Sequence, residues 1–128
     1  MEFVGQDGYV PAETLARKID AAEVIIAEME NIAVGYARFE YLWSRVPYIA
    51  VIRVRQEHQR QGVGRALLAF IERELRDAGH GLIMSSSQAD ELEPQQWHVH
   101  MGFRYCGRLQ GINAGGIDEV FFCKELLS

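Results

Sequence analysis

Arg55-Gln56-Glu57-His58-Gln59-Arg60-Gln61-Gly62-Val63-Gly64-Arg65 is the stretch around which the chain organises itself. Before it runs Pro47-Tyr48-Ile49-Ala50-Val51-Ile52-Arg53-Val54, a short apolar segment rich in β-branched residues that reads as a buried strand. After it, Val63, Leu67, Phe70, Ile71 and Leu75 recur at helical spacing, with Arg65, Glu72, Arg73, Arg76 and Asp77 mostly on the other face. A strand therefore enters a helix through a turn that carries two glycines.

That arrangement suits an anion. The first amides of a helix have no intrahelical acceptor, and the helix dipole adds positive potential at the same place. Gly62 and Gly64 carry no side chains that would hold a phosphate away from those amides. Arg60 and Arg65 add cationic groups, with Arg53, Arg55 and His58 just upstream. Taken in isolation, two glycines also serve any simple break between a strand and a helix. Two common phosphate loops do not fit. A Walker loop needs Lys and then Ser or Thr after its last glycine, whereas Gly64 is followed by Arg65-Ala66. A dinucleotide fingerprint needs a third small residue where this chain has Leu67.

The chain has 128 residues, enough for one domain over 1–128 with a single core and no need of metals or disulfides. A hydrophobic content of 48% with 24% charged residues is ordinary for a soluble globular protein. The formal net charge of −5 argues against a nucleic-acid partner, so the basic residues between Arg53 and Arg65 point to a local anionic ligand. Cys106 and Cys123 fall within strand-like segments as small apolar residues and do not suggest an oxidised scaffold. The first residues lack the basic start and apolar run of a signal peptide, and no stretch reaches the length of a membrane span, so a cytoplasmic protein with no membrane partner is expected.

The remaining elements follow from periodicity and turn chemistry. Pro11, Leu15, Ile19 and Ala22 predict a helix over roughly 11–21, and Phe3-Val4 is a candidate edge strand. Residues 23–29 and 32–42 read as strands joined at Glu30-Asn31, and with 47–54 they form an antiparallel meander. The helix over 63–78 stops at Gly79, and 81–87 is a strand parallel to 47–54 through a crossover. A second helix runs from near Pro94 to Met101-Gly102, and 103–109 pairs with 117–126 as a hairpin. The fold class is α+β: a mixed, mostly antiparallel sheet with one parallel crossover pair, flanked by helices.

Gln59-x-x-Gly62-x-Gly64 after a strand ending Arg53-Val54 resembles the pyrophosphate-binding signature of the GNAT superfamily of acyl-CoA-dependent N-acyltransferases. Trp97-His98-Val99-His100-Met101-Gly102-Phe103 is similar to that family's second element, an aromatic-Tyr-x-x-x-Gly-Phe run. The resemblance covers roughly 23–125 and is best over 47–104. The chain looks short at its N-terminus, where relatives carry a further strand and helix beside the acceptor site. The resemblance implies acetyl-CoA as co-substrate and no metal. Its pantetheine would lie along Ile52, Arg53 and Val54, and its pyrophosphate on Gln59, Arg60, Gln61, Gly62, Val63, Gly64 and Arg65. The partner would be a small-molecule or peptide amine, acetylated by direct attack. His98-x-His100 is not a metal pair, since residues two apart on a helix diverge by about 200°.

The family's catalytic positions are altered. His98 replaces the tyrosine that protonates the departing thiolate, and an imidazolium of pKa about 6.5 could do so. The strand positions that carry a base in many relatives are Ala50 and Val51, and Glu91 stands where an asparagine often contacts the cofactor. Glu28, Glu40 and Tyr41 are substitute bases, and Tyr36, Phe39, Tyr41 and Trp43 candidates for an acceptor pocket. The expected function is an N-acetyltransferase; the alternative is an acyl-CoA-binding regulatory module of the same fold. Val120-Phe121-Phe122 is a candidate homodimer contact.

Overall fold

The computed structural model describes residues 15–19 and 24–126. Among the described residues seven strands form one sheet in the spatial order β1-β2-β3-β4-β5-β7-β6, where β1 is Leu15–Ile19, β2 Val24–Met29, β3 Ile32–Leu42, β4 Val46–Val54, β5 Leu82–Gln88, β6 Arg104–Leu109 and β7 Glu119–Glu125. Helix α1 (Val63–Asp77) connects β4 to β5, and α2 (Leu92–His100) follows β5. All neighbouring strands are antiparallel except β4 and β5. The mixed sheet and the crossover agree with the α+β expectation.

One expectation fails. The helix anticipated over 11–21 is replaced, within the described residues, by strand β1, which pairs antiparallel with β2 from Leu15 opposite Glu28 to Ile19 opposite Val24. The i, i+4 spacing of Leu15 and Ile19 fits a helix turn, but the backbone edge of β2 offers hydrogen bonds that a local pattern does not reveal. Phe3, Val4 and Pro11 lie outside the described residues. Val120–Phe122 lie in β7, flanked by β5 and β6, so of the two ways they could meet another subunit, pairing or packing, only packing of a face is left.

Local chemistry explains the punctuation. Glu30 and Asn31 both adopt positive φ, at 51° and 66°, closing the two-residue β2–β3 hairpin with the twist that such turns require. α1 ends in a Schellman arrangement: the Gly79 amide donates to Arg76 O at 2.9 Å and the His80 amide to Leu75 O at 2.9 Å, with Gly79 at φ 91°. The core lies on one face of the sheet. Val63, Leu67, Leu68, Ile71 and Leu75 of α1 and Trp97 of α2 are buried with Ile25, Ala37, Phe39, Ile49, Ile52 and Phe122. Lys124 ties the layers together, donating to Glu72 Oε2 and to Met101 O at 2.8 Å each.

Two irregularities shape the centre. Phe39 is opposite Ile49 and Arg38 opposite Val51, so Ala50 is an extra residue on β4, a β-bulge. The bulge resets the alternation, and Ile49 and Ile52, three apart, both enter the core at 0% and 2% exposure. On the other side of β3, Ala27 is opposite Gly35 and Glu28 opposite Ala33, leaving Val34 unpaired; its carbonyl accepts from the Arg55 amide at 2.8 Å and anchors the chain as it leaves β4.

Gly35 sits under that exit. A Cβ there would meet Arg53 O at 2.8 Å and Val63 Cγ1 at 3.1 Å. A backbone oxygen cannot yield as a side-chain tip can, so Gly35→Ala should cost about 1–3 kcal/mol in urea unfolding. A change within about 0.5 kcal/mol would mean that the β3–β4 contact carries no such constraint.

Candidate functional site

The stretch from Arg55 to Arg65 forms one tight connection. A 3₁₀ turn over Gln56–His58 is closed by the His58 amide donating to Arg55 O at 2.9 Å. The Gln59 side-chain amide donates back to Val54 O at 3.3 Å, clasping the loop to the end of β4. Arg60 and Gly62 take positive φ, 67° and 84°. Gly62 is the N-cap of α1 and no side chain caps it; its carbonyl accepts from the Ala66 amide at 2.9 Å. The amides of Val63, Gly64 and Arg65 therefore begin the helix without intrahelical acceptors. Gly62, Val63 and Gly64 are buried, Arg60 is exposed, and Gln61 Oε1 and His58 Nδ1 are buried without hydrogen-bond partners. Arg65 reaches His100 Nε2 at 3.3 Å, bringing the last turn of α2 beside the loop.

The loop overlooks an opening in the sheet. Between β4 and β5 the ladder contains Tyr48–Met84 as its one pair, near the start of both strands. Beyond it the β4–β5 ladder has no further pair among the described residues, so the strands part at the carboxyl ends of a parallel pair, where ligands commonly bind. Ile52 and Val54 are buried at 2% and 1% exposure, which leaves them only backbone to offer, while Arg53 is exposed. The expected donor residues are thus brought together: 52–54 along one wall of the parting and 59–65 at its mouth.

His98 lies deeper than expected. It is fully buried, stacked on Phe122 with ring centroids 4.7 Å apart and planes 6° apart, and edge-on to Phe103 at 5.3 Å. Its Nδ1 donates to Pro94 O at 2.7 Å, which leaves Nε2 to accept from Ser85 Oγ, also at 2.7 Å. Burial lowers its pKa to about 4, against a smaller opposing effect of the Pro94 hydrogen bond. At neutral pH the ring is uncharged and both nitrogens are engaged.

The substitute bases do not converge. Glu40 is exposed and paired with Arg38 at 2.8 Å; Tyr41 lies against His80 with ring centroids 5.5 Å apart; Trp43 is 75% exposed. Tyr36 and Arg53 instead line an apolar hollow of about 370 Å³ with Val24 and Ile26. The group that the sequence did not reveal is Glu119. Tyr48 OH and Ser86 Oγ lie 2.7 Å apart, Ser86 Oγ donates to Glu119 Oε2 at 2.6 Å, and Asn113 Nδ2 donates to Glu119 Oε1 at 3.0 Å. Because Ser86 spends its proton on the carboxylate, Tyr48 is the donor to Ser86. Burial first of all raises the Tyr48 pKa, so the phenol stays protonated. Ser86 is opposite Phe121, which puts Glu119 two positions from it on the neighbouring strand. Only that register joins them.

Among the described residues no group of three or more His, Cys, Asp or Glu could hold a metal ion, and no helix is long and apolar enough to cross a membrane. The model of the acetyltransferase (GNAT) family matches residues 3–103, and the chain belongs to that family. A proposed acetyltransferase of the GNAT family from Desulfovibrio desulfuricans superposes with a TM-score of 0.75 at 21% identity, over 81% of this chain and 68% of that one. A proposed streptothricin acetyltransferase of Bacillus anthracis, solved with acetyl coenzyme A, also gives 0.75, at 19% identity over 84% of this chain and 65% of that one. The ribosomal-protein-S18-alanine N-acetyltransferase of Escherichia coli gives 0.70 at 17% identity, over 92% and 72%. No curated protein matches the chain.

The buried imidazole makes stability depend on pH. Its folded pKa of about 4 lies below the unfolded value of about 6.5, so its contribution is whole above pH 6.5 and is lost as pH falls through 4. Between pH 7 and 4.5 the protein should lose about 2–3 kcal/mol more in urea unfolding than His98→Gln, in which nothing titrates at that position. Equal losses in both would show that His98 is hydrated in the folded state.

Proposed function

We propose that the chain is an acetyl-CoA-dependent N-acetyltransferase that passes the acetyl group directly to a primary amine. The observation that carries this reading is the start of α1, which no side chain caps, standing beside the parting of β4 and β5. The amides of residues 63–65, with Arg60 and Arg65, would take the pyrophosphate. The backbone of Ile52, Arg53 and Val54 would pair with the pantetheine amides, as a strand adds to an open sheet edge. Bound acetyl-CoA supplies an acetyl group activated as a thioester. Ser85–Ser87 line the parting, and His98 serves it by fixing Ser85. With both ring nitrogens engaged and no proton on Nε2, His98 is better suited to positioning than to protonating a thiolate.

Ala50 and Val51 favour a second reading, a binding module with the same donor site, because neither can accept a proton from an amine. The hydroxyl and carboxylate groups around Ser86 weigh against it. The free cysteines Cys106 and Cys123 are compatible with the cytoplasm as its compartment.

Asparagine and aspartate both tolerate positive φ, so each can replace Gly62 without the strain of other residues. By calorimetry the unsubstituted protein should bind acetyl-CoA, Gly62→Asn should bind it more weakly, and Gly62→Asp should be weaker than Asn by about tenfold or more through repulsion of the pyrophosphate. No heat of binding, or equal affinity in both variants, would remove the donor site. Thiol release across a panel of amines separates enzyme from module: tight binding with no turnover favours the module.

A further inference from the structure

The face of the sheet turned away from α1 carries the apolar hollow of about 370 Å³, at the loop end of β4. Strand alternation puts it there. Ile25, Ala37 and Ile52 point into the core, so Val24, Ile26, Tyr36 and Arg53, their neighbours along β2, β3 and β4, stand on the opposite face. Register aligns them: Ile26 is opposite Tyr36 and Tyr36 opposite Arg53, so one row runs from an aliphatic side chain through an aromatic ring to a guanidinium.

Size and chemistry together suit a small ligand. Val24, Ile26 and Ala33 give the hollow an aliphatic floor, and Tyr36, 40% exposed, offers a ring to cover apolar surface. On the β4 side the lining turns cationic: Arg53 and Arg55 are exposed there, and the described lining contains no Asp or Glu. Arg38, on the same face of β3, is paired with Glu40 and takes no part in the lining. The volume lies within the roughly 300–1,000 Å³ of small-molecule pockets and holds about a dozen water-sized groups. What it complements is an apolar body with a negative charge at one end.

We propose that the hollow binds the acceptor, a free α-amino acid with an apolar side chain, through that side chain and its carboxylate. The proposal rests on the donor reading above and adds the substrate class. Charge complementarity selects the carboxylate, which a guanidinium can grip with two parallel hydrogen bonds, and the apolar floor selects the side chain. β4 separates the hollow from the parting, so a molecule whose carboxylate is held over Arg53 and Arg55 can lay its side chain over β2 and β3 and turn its amine toward β5. An α-amino acid has that divergence built in, since all three groups leave one carbon. In the step, the ammonium loses one proton to solvent and the freed nitrogen pair forms a C–N bond to the thioester carbon. The C–S bond breaks with its electron pair leaving on sulfur. The nitrogen then gives up a second proton, which neutralises the thiolate, and keeps the third as the amide N–H.

The test separates this site from the donor site. 4-Methylpentanoate, which is leucine without its amine, is titrated into the acetyl-CoA-free protein and followed by NMR, beside Arg55→Gln and Ala33→Leu; acetyl-CoA affinity is measured on the same three proteins. Arg55→Gln removes one guanidinium and should weaken the acid about tenfold. Ala33→Leu fills the hollow from an exposed position and should abolish binding of the acid, while acetyl-CoA affinity stays within about twofold in both variants. In turnover, compared at equal concentration of the free amine, leucine should exceed glycine in kcat/KM by about tenfold or more for its side chain, and leucinamide by as much for its carboxylate. Arg55→Gln should shrink the second difference and leave the first, which a general loss of structure would not do. Acid binding indifferent to both substitutions, or no binding because another part of the chain fills the hollow, would overturn the site. Leucine held through Arg55 but left unacetylated by a protein that acetylates other amines would overturn its role as acceptor. Acid binding that depends on Arg55 and is blocked by Ala33→Leu, in a protein that ignores acetyl-CoA, would uphold the carboxylate site and remove the acetyltransferase reading instead.

Discussion

The parting of β4 and β5 is the constraint on which the rest depends. Two parallel strands that pair at Tyr48–Met84 and then separate give up the ladder hydrogen bonds of a continuous pair, and side chains, water or a ligand must take those groups instead. Everything that adjoins the opening can be understood as holding it open. The Ala50 bulge twists β4 away, α1 packs its apolar stripe under β1–β4, and α2 supports β5 through His98 and Trp97. The opening is polar at one end, where the helix amides and arginines gather, and polar in a different sense at the other, where carboxylates and hydroxyls gather.

How much of this was legible in the sequence follows from the range of each interaction. The strand, loop and helix from Pro47 to Asp77 could be read because every determinant is local: β-branched residues, two glycines and a repeat of apolar residues at helical spacing. Gly79 announced its Schellman turn and Glu30-Asn31 its hairpin for the same reason. The segment Leu15–Ile19 was misread because pairing with β2 decides its conformation, and that pairing leaves no mark on the segment's own periodicity. The bulge was hidden as well. Ile49 and Ile52 share the core although strict alternation would set them on opposite faces, so the pattern could not say which way Ala50 and Val51 point.

His98 shows the difference between a residue's position in a motif and its situation in a fold. The motif places it correctly at the end of α2, next to the parting. Whether it can exchange a proton depends on water, and the walls that exclude water come from Phe103, at the end of the same motif, and from Phe122 of the distant strand β7. Desolvation then disfavours the charged ring more than the Pro94 carbonyl favours it. A histidine held neutral in this way is a rigid acceptor for Ser85, and it fixes β5 at the point where the strand loses β4 as a neighbour.

Ser85, Ser86 and Ser87 are all buried, in a strand where Val or Ile would contribute more to the core. Two of the three are satisfied by partners from separate elements, Ser85 by α2 and Ser86 by β7. Such a network gains little net stability over an apolar strand, because each hydroxyl surrenders its hydration to obtain its bond. Its effect is positional. It holds Glu119 within 2.6 Å of a hydroxyl that in turn accepts from Tyr48, so a carboxylate on β7 is coupled to the strand that bears the bulge.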